Sequence, residues 1–468
     1  MNFDLAIIGA GSAGLSVAAA AAQFGEKVVL FEKSEMGGDC LNTGCIPSKA
    51  LLAAAKAAQA HRSSAPFGVA ADEPKVTFAK AMAHVEGVIK AIEPHDSQQR
   101  FEGLGVTVVR SHAKFTGAQT LEADGKNYTA RRIVIATGSR AGVPPISGIK
   151  DVPFFTNETI FKNRVLPKHL VVIGGGPIGM EMALAHRRLG SEVTVLEAFQ
   201  PLAKDDPELT SVVLDSLKSE GITIHGNAKI NTISKTKSGI SIGVEGMAPI
   251  VGSHLLVAAG RLPNIENLNL EAAGIAYTKH GITVDASLRT TNKRVYAAGD
   301  AAGGLQFTHV AGYHAGLIIR NALFRLPVKN RTDIIPWVTY TDPELAHVGL
   351  TEKDAKQQLG ESIRVLRWSF KENDRALTEG KAKGLVKIIT LKNGRIIGAS
   401  IVGLNAGDQI AMWTLAIIQK LKISAVANVV LPYPTLGEAG KRAAVTYYAG
   451  LAQKPFTRRL IGFLKIFG

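Results

Sequence analysis

The chain has 468 residues, of which 46 % are hydrophobic and 20 % are charged. This balance is typical of a folded protein with a sizeable core and excludes a disordered chain, and the length predicts two to four domains. The net charge of +15 suits a basic solvated surface, anionic cofactors or an anionic membrane surface. No basic, aromatic-rich stretch of the kind that binds nucleic acid is present.

The chain opens with an apolar run that predicts a buried parallel strand. Residues 5–8 are followed by Gly9, Gly11 and Gly14 in the pattern G-x-G-x-x-G, by a helical stretch, and by a second apolar run that ends at Glu32. The three glycines permit a tight turn, the approach of a pyrophosphate and close helix–strand packing, in that order. We find no secretory signal or membrane-spanning run in this region and expect a cytoplasmic protein.

The same unit recurs at residues 170–198. It contains Gly174, Gly176 and Gly179 and ends its second strand at Glu197, so that in both copies the acid lies 23 residues after the first glycine. Such an acid accepts hydrogen bonds from the adenosine ribose, and the helix N-terminus attracts the pyrophosphate. Two copies predict two dinucleotide sites, which we assign to FAD and to a nicotinamide nucleotide.

The second acid also indicates which nicotinamide nucleotide binds. Glu197 would repel the 2′-phosphate of NADP(H), and residues 198–203 supply no arginine to hold that phosphate. The sequence therefore favours NAD(H), with NADP(H) as the less favoured alternative.

The two cysteines of the chain, Cys40 and Cys45, lie five positions apart. In a regular helix their side chains would point about 140° away from each other. A disulfide therefore needs a distorted turn, which Asn42, Thr43 and Gly44 tolerate. In a reducing compartment a close pair is more typical of catalysis than of a structural bridge. The spacing alone leaves both a redox pair and two buried free cysteines open.

Residues 37–49, which contain both cysteines, closely resemble the active-site motif of the FAD-dependent pyridine nucleotide–disulfide oxidoreductases. The resemblance implies that the first dinucleotide unit binds FAD and the second binds the nicotinamide nucleotide. It implies that Cys40 exchanges with the substrate and that Cys45 lies against the flavin as a charge-transfer partner. It also implies that Lys49 lies beside the flavin and pairs with Glu181.

Other segments resemble the same family in the same order. Residues 135–139 resemble the strand that returns to the FAD site, residues 259–264 the loop that closes the nucleotide domain, residues 296–300 the second FAD motif, and residues 336–352 the start of the dimer-forming domain. The further cofactor contacts that these segments imply are Thr137, Gly138 and Asp300 for FAD and Gly260 for NAD.

The resemblance implies an α/β fold with two Rossmann-like dinucleotide-binding domains plus a C-terminal α+β dimerisation domain. The expected assembly is a homodimer, in which the C-terminal segment of one subunit completes the active site of the other. The predicted boundaries are 1–145 and 270–330 for FAD binding, 146–269 for NAD(P) binding, 334–452 for dimerisation and 453–468 for a C-terminal tail.

One segment departs from the family pattern. Where lipoamide and glutathione reductases carry a histidine and, five positions later, a glutamate, this chain has Tyr433 and Glu438. An unperturbed tyrosine titrates near a pKa of about 10 and is a poor base compared with histidine at about 6.5. We therefore expect inefficient turnover of dihydrolipoamide or glutathione, unless another group handles the proton. Mercuric reductases share the tyrosine but also use a C-terminal cysteine pair that is absent from this sequence.

The C-terminal tail predicts a short basic amphipathic helix. Its apolar residues recur at helical spacing and its charged residues are all basic, which suits either packing on the dimer or contact with an anionic membrane at the inner face. The apolar residues are Leu460, Phe463, Leu464 and Phe467, and the basic ones are Arg458, Arg459 and Lys465.

The sequence thus predicts an FAD-dependent NAD(P)H oxidoreductase that passes electrons through a Cys40–Cys45 redox-active disulfide to a disulfide or metal-ion acceptor. It predicts no resident metal. Two alternatives stay open at this point: a peripheral membrane NADH:quinone-type dehydrogenase that bypasses the disulfide, and a non-catalytic flavin-bound scaffold.

Overall fold

The computed structural model describes residues 2–450 and 454–468. The chain folds into two compact units. The first unit comprises Met1–Pro201 and Ile222–Asn330, and the second comprises Leu202–Gly221 and Arg331–Gly468. Each unit is described by itself below.

The first 201 residues contain both strands and helices. The elements are β1 (Phe3–Ile8), α1 (Ser12–Gln23), β2 (Val28–Phe31), α2 (Gly38–Asn42), α3 (Cys45–Arg62), α4 (Phe78–Asp96), α5 (Gln98–Gly103), β3 (Thr107–Val109), β4 (Lys114–Gly117), β5 (Thr120–Ala123), β6 (Lys126–Ile135), β7 (Ser139–Ala141), α6 (Asn157–Ile160), β8 (His169–Ile173), α7 (Pro177–Arg188) and β9 (Glu192–Leu196).

The remaining elements complete both units. Between residues 202 and 330 they are α8 (Pro207–Ser219), β10 (Thr223–His225), β11 (Ile230–Thr236), β12 (Gly239–Val244), β13 (Ile250–Gly252), β14 (His254–Val257), β15 (Arg261–Pro263), β16 (Tyr277–Thr278), β17 (Gly281–Ile282), β18 (Val295–Ala297) and α9 (Thr308–Ala322). From residue 331 onward they are β19 (Trp337–Thr339), β20 (Glu344–Gly349), α10 (Glu352–Leu359), β21 (Ile363–Ser369), α11 (Asp374–Thr378), β22 (Leu385–Leu391), β23 (Ile396–Gly403), α12 (Ala406–Ile418), α13 (Ile423–Ala427), α14 (Glu438–Thr446) and α15 (Pro455–Leu464).

The first unit is built around two sheets whose central strands are parallel. In one, the strand order is β3-β2-β1-β6-β5-β4 with β18 added beside β6. Strand β1 pairs in parallel with both β2 and β6, whereas β5 pairs antiparallel with β6 and with β4. In the other, the order is β10-β9-β8-β14, with all pairs parallel. The last four residues of β1 and of β8 are apolar and buried because both faces of a parallel sheet are covered. Ile7 and Val172 are fully buried.

The second unit contains an antiparallel sheet of order β19-β20-β23-β22-β21. Helices α12 and α14 pack against this sheet, and the core between them includes Trp413 and Phe370, both at most 1 % exposed. Helix α8 also packs against β20 and β23 and therefore belongs to this unit. An antiparallel sheet with helices on one side is an α+β arrangement.

The predicted fold class is confirmed: two Rossmann-like sheets and a C-terminal α+β domain are present. The predicted domain boundaries stay predictions, because both Rossmann-like sheets lie within one compact unit. The junction that we predict between dimerisation domain and tail falls at residues 451–453, outside the described residues. Among the helices of the described ranges, none combines the length and the apolar character needed to cross a membrane.

Candidate active site

Two glycine turns of matching geometry end strands β1 and β8. A Cβ added to Gly9 would lie 2.4 Å from the Ala136 carbonyl oxygen, and one added to Gly174 would lie 2.4 Å from that of Ala258. The φ angles of these two glycines are +105° and +116°. Side chains rarely adopt such angles, so glycine is required at both positions. The same holds sterically for the third glycine of each turn, where a Cβ would overlap the carbonyl of the first glycine; these are Gly14 and Gly179.

Each turn is closed by the acid that follows the next strand. The Glu32 carboxylate accepts hydrogen bonds from the backbone N–H of Ala10 at 2.7 Å and from that of Ser34 at 2.7 Å. The Glu197 carboxylate accepts from Gly175 at 2.6 Å and from Phe199 at 2.9 Å. A carboxylate held in this way has lone pairs left for the ribose hydroxyls of a bound dinucleotide.

The two cysteines lie on either side of a helix break. Helix α2 ends at Asn42 and α3 begins at Cys45, and the intervening Gly44 has φ −125° and ψ −111°. A Cβ on Gly44 would lie 2.8 Å from an Asp39 carboxylate oxygen, so only glycine fits the break. Because of this break, the two side chains are not held about 140° apart as they would be in a regular helix. Both cysteines carry free thiols in this structure.

The two thiols are electrostatically unequal. Cys40 donates a hydrogen bond to Cys45, and this bond, the Thr308 hydroxyl and the Lys49 ammonium lower the pKa of Cys45 to about 6 against the opposing effect of burial. The Thr308 Oγ1 lies 3.2 Å from the Cys45 sulfur. The same shared hydrogen bond, together with burial, raises the pKa of Cys40. The first thiolate of the reduced pair therefore forms on Cys45.

An ion pair with a buried carboxylate involves the cysteine helix. The Lys49 ammonium, on α3, is 2.7 Å from the carboxylate of Glu181 on α7, whose side chain is only 4 % exposed. Helices α3 and α7 pack against each other, which holds the pair in place. A buried carboxylate of this kind fixes the position of the lysine and keeps its charge near Cys45.

A second charged cluster joins five segments of the first unit. Arg261 on β15 donates to the hydroxyl of Ser139 at 2.7 Å and lies 3.2 Å from the carboxylate of Asp39. Ser139 in turn donates to Asp300. Burial raises the pKa of Asp300, against the opposing effects of Ser139 and Arg261. Asn157 donates to Asp39 at 2.9 Å.

The predicted turn after β6 is also in place. The Thr137 hydroxyl donates to the Asn264 carbonyl at 2.6 Å, and the Asn264 side chain returns a bond to the Thr137 carbonyl at 3.0 Å. Gly138 has a φ of +68° and its carbonyl accepts from the Asn264 N–H at 2.9 Å. Gly260 has a φ of +122° and faces open space.

The residues present fit the two dinucleotides. A Cβ on Gly38 would lie 2.7 Å from the Gly11 backbone, so the two glycines form a narrow cradle at the start of α1, as a pyrophosphate in the first turn requires. A Cβ on Gly176 would meet nothing within 4 Å, which leaves the second turn open to a second pyrophosphate. The free N–H groups of α1 and α7 face these openings.

A cavity of about 270 Å³ lies on the Cys40 side of the pair. Among the described residues that line it, Asp96 at the end of α4 is the one that can carry a charge besides the cysteine. Burial raises the pKa of Asp96, although Arg100 and His95 oppose that effect. The lining residues are Ser12, Leu15, Ser16, Cys40, Leu41, Ile46, Ile92, Asp96 and Thr308. The described lining at Cys40 is thus mostly neutral, with one acid and no cation.

Tyr433 and Glu438 belong to the second unit, whereas the cysteines belong to the first. Tyr433 is 71 % exposed, and its hydroxyl donates to Asp374 at 2.9 Å. This bond raises the pKa of Tyr433, which moves it further from neutral pH. Glu438 accepts a hydrogen bond from the Thr435 N–H at 3.3 Å. Tyr433 is therefore unsuited to act as a base.

Several functional residues were not predicted from the sequence. Thr308 and Asp96 contact or share a cavity with the cysteines, yet no local motif marks either of them. Asp39 lies inside the cysteine motif, and Arg261 lies inside the loop at residues 259–264, so these two motifs carry a signal that could have identified them. In the ranges 2–450 and 454–468, no group of three or more His, Cys, Asp or Glu is arranged to hold a metal ion.

Comparison with known proteins agrees with this geometry. Residues 3–315 match the family described as "Pyridine nucleotide-disulphide oxidoreductase", and residues 335–444 match the dimerisation domain of the same name. The chain belongs to the pyridine nucleotide-disulphide oxidoreductase family. It is an FAD-dependent enzyme that uses NAD(P)H, and the match to the dimerisation domain supports a homodimer.

Three of the similar proteins carry different names. Mercuric reductase from Lysinibacillus sphaericus is 33 % identical over 95 % of this chain and 83 % of its own length. Dihydrolipoyl dehydrogenase from Thermus scotoductus is 35 % identical over 95 % of this chain and 97 % of its own. The Cu(II) complex of the HOCl-induced flavoprotein disulfide reductase RclA from Escherichia coli has a TM-score of 0.84 and 28 % identity, covering 93 % of this chain and 98 % of that one. These relatives do not favour a quinone-type dehydrogenase or a scaffold.

Proposed function

We propose that this enzyme reduces a small disulfide that is neutral or positively charged, using electrons from NADH, and that Cys40 is the sulfur that meets it. The carrying observation is the cavity at Cys40, whose described lining is apolar or neutral apart from Asp96. An apolar pocket with few polar groups is typical of small-molecule sites. A lone half-buried carboxylate repels an anionic acceptor and attracts a cationic one.

The proposed site residues follow the geometry above. For catalysis we propose Cys40, Cys45, Lys49 and Glu181, with Thr308 as a positioning residue for Cys45. For FAD we propose Gly9, Gly11, Gly14, Glu32, Lys49, Thr137, Gly138 and Asp300, and for NAD we propose Gly174, Gly176, Gly179, Glu197 and Gly260. Tyr433 and Glu438 stay proposed as acceptor-side residues without a role as bases.

When bound, FAD supplies the hydride acceptor and the electron pair that reduces the cysteines. Lys49, held by Glu181, keeps positive charge beside Cys45, and Thr308 hydrogen-bonds the sulfur. Both contacts lower the pKa of Cys45 and stabilise its thiolate. Cys40 keeps its proton until an acceptor arrives, because its own pKa is raised.

Electron transfer to a disulfide acceptor then takes place in two thiol–disulfide exchanges. Cys40 loses its proton and its sulfur attacks one sulfur of the acceptor, so the acceptor bond breaks and its other sulfur leaves with a proton as a thiol. The Cys45 thiolate next attacks the Cys40 sulfur of the mixed disulfide. This closes the Cys40–Cys45 bond and releases the second acceptor thiolate, which takes up a proton. One acceptor disulfide is reduced by two electrons for each dithiol oxidised.

Glutathione disulfide is a poor fit because of its charge. It is anionic, and no cation is found among the described residues that line the cavity at Cys40. The raised pKa of Tyr433, whose hydroxyl donates a hydrogen bond to Asp374, makes this residue a poor base for every disulfide and so does not distinguish among them. A neutral cyclic disulfide or a cationic disulfide is not repelled by Asp96 and needs no anion-binding group in the cavity.

A soft metal ion is a second candidate acceptor, and the relatives favour it. Several of them are named mercuric reductases, and one solved neighbour is a Cu(II) complex of a disulfide reductase. Thiolates are preferred ligands of such ions, and Asp96 adds a negative charge near Cys40. Bound at the cysteine pair, the ion would be the substrate of the enzyme.

The nucleotide preference that we propose is NADH over NADPH. Glu197 has both carboxylate oxygens hydrogen-bonded to the backbone of the turn, so its charge is fixed at the expected ribose position. A 2′-phosphate would meet that fixed negative charge.

We also propose that the C-terminal tail docks on an anionic membrane surface. Helix α15 covers Pro455–Leu464, and every residue from Lys454 to Gly468 except Thr457 is exposed. Three aromatic and aliphatic side chains of the tail are each at least 73 % exposed, and three basic residues supply positive charge. The three apolar side chains are those of Phe456, Ile466 and Phe467, and the basic residues are Arg458, Arg459 and Lys465. An exposed basic amphipathic helix is suited to lie in the membrane interface.

An acceptor panel tests the proposed function. The FAD-loaded enzyme is reduced anaerobically with NADH and then mixed with lipoamide, cystamine, glutathione disulfide or Hg²⁺, and flavin reoxidation is followed. We expect cystamine, which Asp96 attracts, to reoxidise the enzyme faster than lipoamide, and Cys40→Ser and Cys45→Ser to abolish both reactions. Reoxidation by Hg²⁺ alone would replace the disulfide proposal with the metal-ion candidate. A quinone acceptor that works equally well with Cys40→Ser would overturn both.

A further inference from the structure

A strongly cationic cavity lies in the first unit and has no part in the redox site described above. Its volume is about 500 Å³, and all of its described lining residues are basic. They come from β6, from the segment that precedes β18, and from the turn after α9. The lining residues are Arg131, Arg132, Arg289, Lys293, Arg294 and Arg325.

Neighbouring acids neutralise only part of this charge. Arg131 lies 3.1 Å from the Asp4 carboxylate, and Lys293 lies 3.3 Å from that of Asp285. Two other arginines donate instead to neutral amide oxygens, Arg289 to that of Asn321 at 3.0 Å and Arg294 to that of Gln119 at 3.0 Å. A hydrogen bond to a neutral amide leaves the full charge of the guanidinium in place.

Arg132 is the member of this cluster that has a buried nitrogen, its Nε, without a hydrogen-bond partner within the described residues. Burial lowers its pKa, the neighbouring Tyr296 opposes that effect, and the charges of Arg325 and Arg289 lower the pKa further. Because arginine keeps its proton at any physiological pH, the mutual repulsion stays, and a bound anion would relieve it.

We propose that this cavity binds a small anion that carries a diphosphate group, either free or as part of a larger molecule. Guanidinium forks match phosphate oxygens in a bidentate manner, and several arginines converge here. The volume lies within the range of small-ligand sites and exceeds that of one inorganic phosphate. The converging cations match the multiple charges of a diphosphate.

Calorimetry with inorganic pyrophosphate tests the proposal. The FAD-loaded enzyme is used with saturating NAD⁺, so that both dinucleotide turns are filled. We expect wild-type protein to bind pyrophosphate and both Arg132→Gln and Arg325→Gln to weaken binding at least tenfold. Arg325 is exposed, so its variant keeps the fold even if the Arg132 variant does not. Arg395→Gln, an exposed arginine of the second unit, serves as the matched control and should bind like wild type.

Two further measurements distinguish a soluble diphosphate from a single phosphate and from a lipid headgroup. Orthophosphate and sulfate should bind at least tenfold more weakly than pyrophosphate if converging arginines grip two phosphoryl groups. Phosphatidylglycerol vesicles should not compete with pyrophosphate, which indicates a soluble ligand. Equal affinity of wild type, Arg132→Gln and Arg325→Gln for pyrophosphate would overturn the proposal, as would binding of the vesicles without binding of pyrophosphate.

Discussion

At the scale of single residues, we propose that charge decides which acceptor meets Cys40. Asp96 is the acid of the cavity lining, and it is half-buried at the end of α4. A carboxylate at a helix C-terminus is already unfavourable because of the helix dipole. Its presence in the cavity lining fits an acceptor that is neutral or positive.

Replacing Asp96 with asparagine should change selectivity without abolishing turnover. We expect kcat/KM for cystamine to fall about fivefold and that for glutathione disulfide to rise about fivefold, which corresponds to about 1 kcal/mol in each direction. Lipoamide, which is neutral, should change little. Steady-state kinetics at two ionic strengths would measure this, with Asp72→Asn, an exposed acid, as the control. Parallel changes for all three acceptors would contradict a charge effect.

Thr308 should set the pH at which the Cys45 thiolate forms. The pKa of Cys45 is lowered to about 6, in part by the Thr308 hydroxyl. Its thiolate is therefore formed above that pH and lost as the pH falls through it. Thr308→Ala removes one stabilising contact and should shift the thiolate titration of the reduced enzyme to higher pH, as measured by ultraviolet absorbance. Thr308→Ser keeps the hydroxyl and should titrate like wild type; an unchanged titration in Thr308→Ala would show that Thr308 has no such role.

Glu197 should discriminate between the two nicotinamide nucleotides. A charge-assisted hydrogen bond to a ribose hydroxyl contributes about 1.5–3 kcal/mol. We therefore expect Glu197→Ser to raise the KM for NADH about tenfold or more, while the KM for NADPH falls or stays constant. Stopped-flow reduction of the flavin at varied nucleotide concentration measures both. If NADPH is the better donor of the wild-type enzyme, the proposed preference is wrong.

At the scale of elements, a buried ion cluster connects helix α8 to the C-terminal sheet. Lys387 on β22 is 3 % exposed and lies 2.7 Å from each of the carboxylates of Asp206, Glu208 and Glu352. Burial of Glu352 disfavours its charge, but Lys356 and Lys387 outweigh this and lower its pKa to about 2. Asp206 also caps α8 by accepting from the Glu208 N–H at 3.0 Å.

Removing the central lysine should destabilise the second unit strongly. Lys387→Met leaves the buried carboxylate of Asp206 without its cation, which costs about 3–5 kcal/mol, while Glu208 and Glu352 keep their contacts with Arg367. Lys381→Met breaks an exposed pair with Asp342 and should cost about 1 kcal/mol or less. The three tryptophans of the chain, at positions 337, 368 and 413, lie in the second unit. Urea unfolding followed by tryptophan fluorescence therefore reports on that unit, and equal midpoints for the two variants would refute the role of Lys387.

The elements also show how far sequence reasoning reaches. The two Rossmann-like units were predictable because a buried parallel strand, a glycine turn and a terminal acid leave a local pattern of fixed spacing. The break between α2 and α3 was predictable from Gly44 and the cysteine spacing. The contacts of Thr308 with Cys45 and of Arg261 with Asp39 join residues more than 200 positions apart. Such pairs leave no periodic signal, and only the folded sheet order brings them together.

At the scale of the whole molecule, the C-terminal tail exposes apolar side chains that no contact within the described chain covers. Large apolar side chains exposed together on one short helix mark an interaction surface. Full-length protein should float with anionic liposomes, and a variant that ends at Lys454 should not. Zwitterionic liposomes should bind neither. If full-length and truncated proteins float alike, the tail is not a membrane anchor, and their oligomeric state by sedimentation would show whether it packs on the dimer instead.

The matching glycine turns at Gly9 and Gly174 have a consequence for inhibitor chemistry. Each turn presents the same group to an adenosine moiety, a carboxylate that accepts hydrogen bonds from two backbone amides. An adenosine-based compound therefore has two possible binding sites in the protein when FAD is absent. Selectivity for one of the two sites has to come from the end of the compound that lies away from the adenosine. A group that reaches the sulfur of Cys45 would supply it, because the second turn has no counterpart of the cysteine helix break within the described residues.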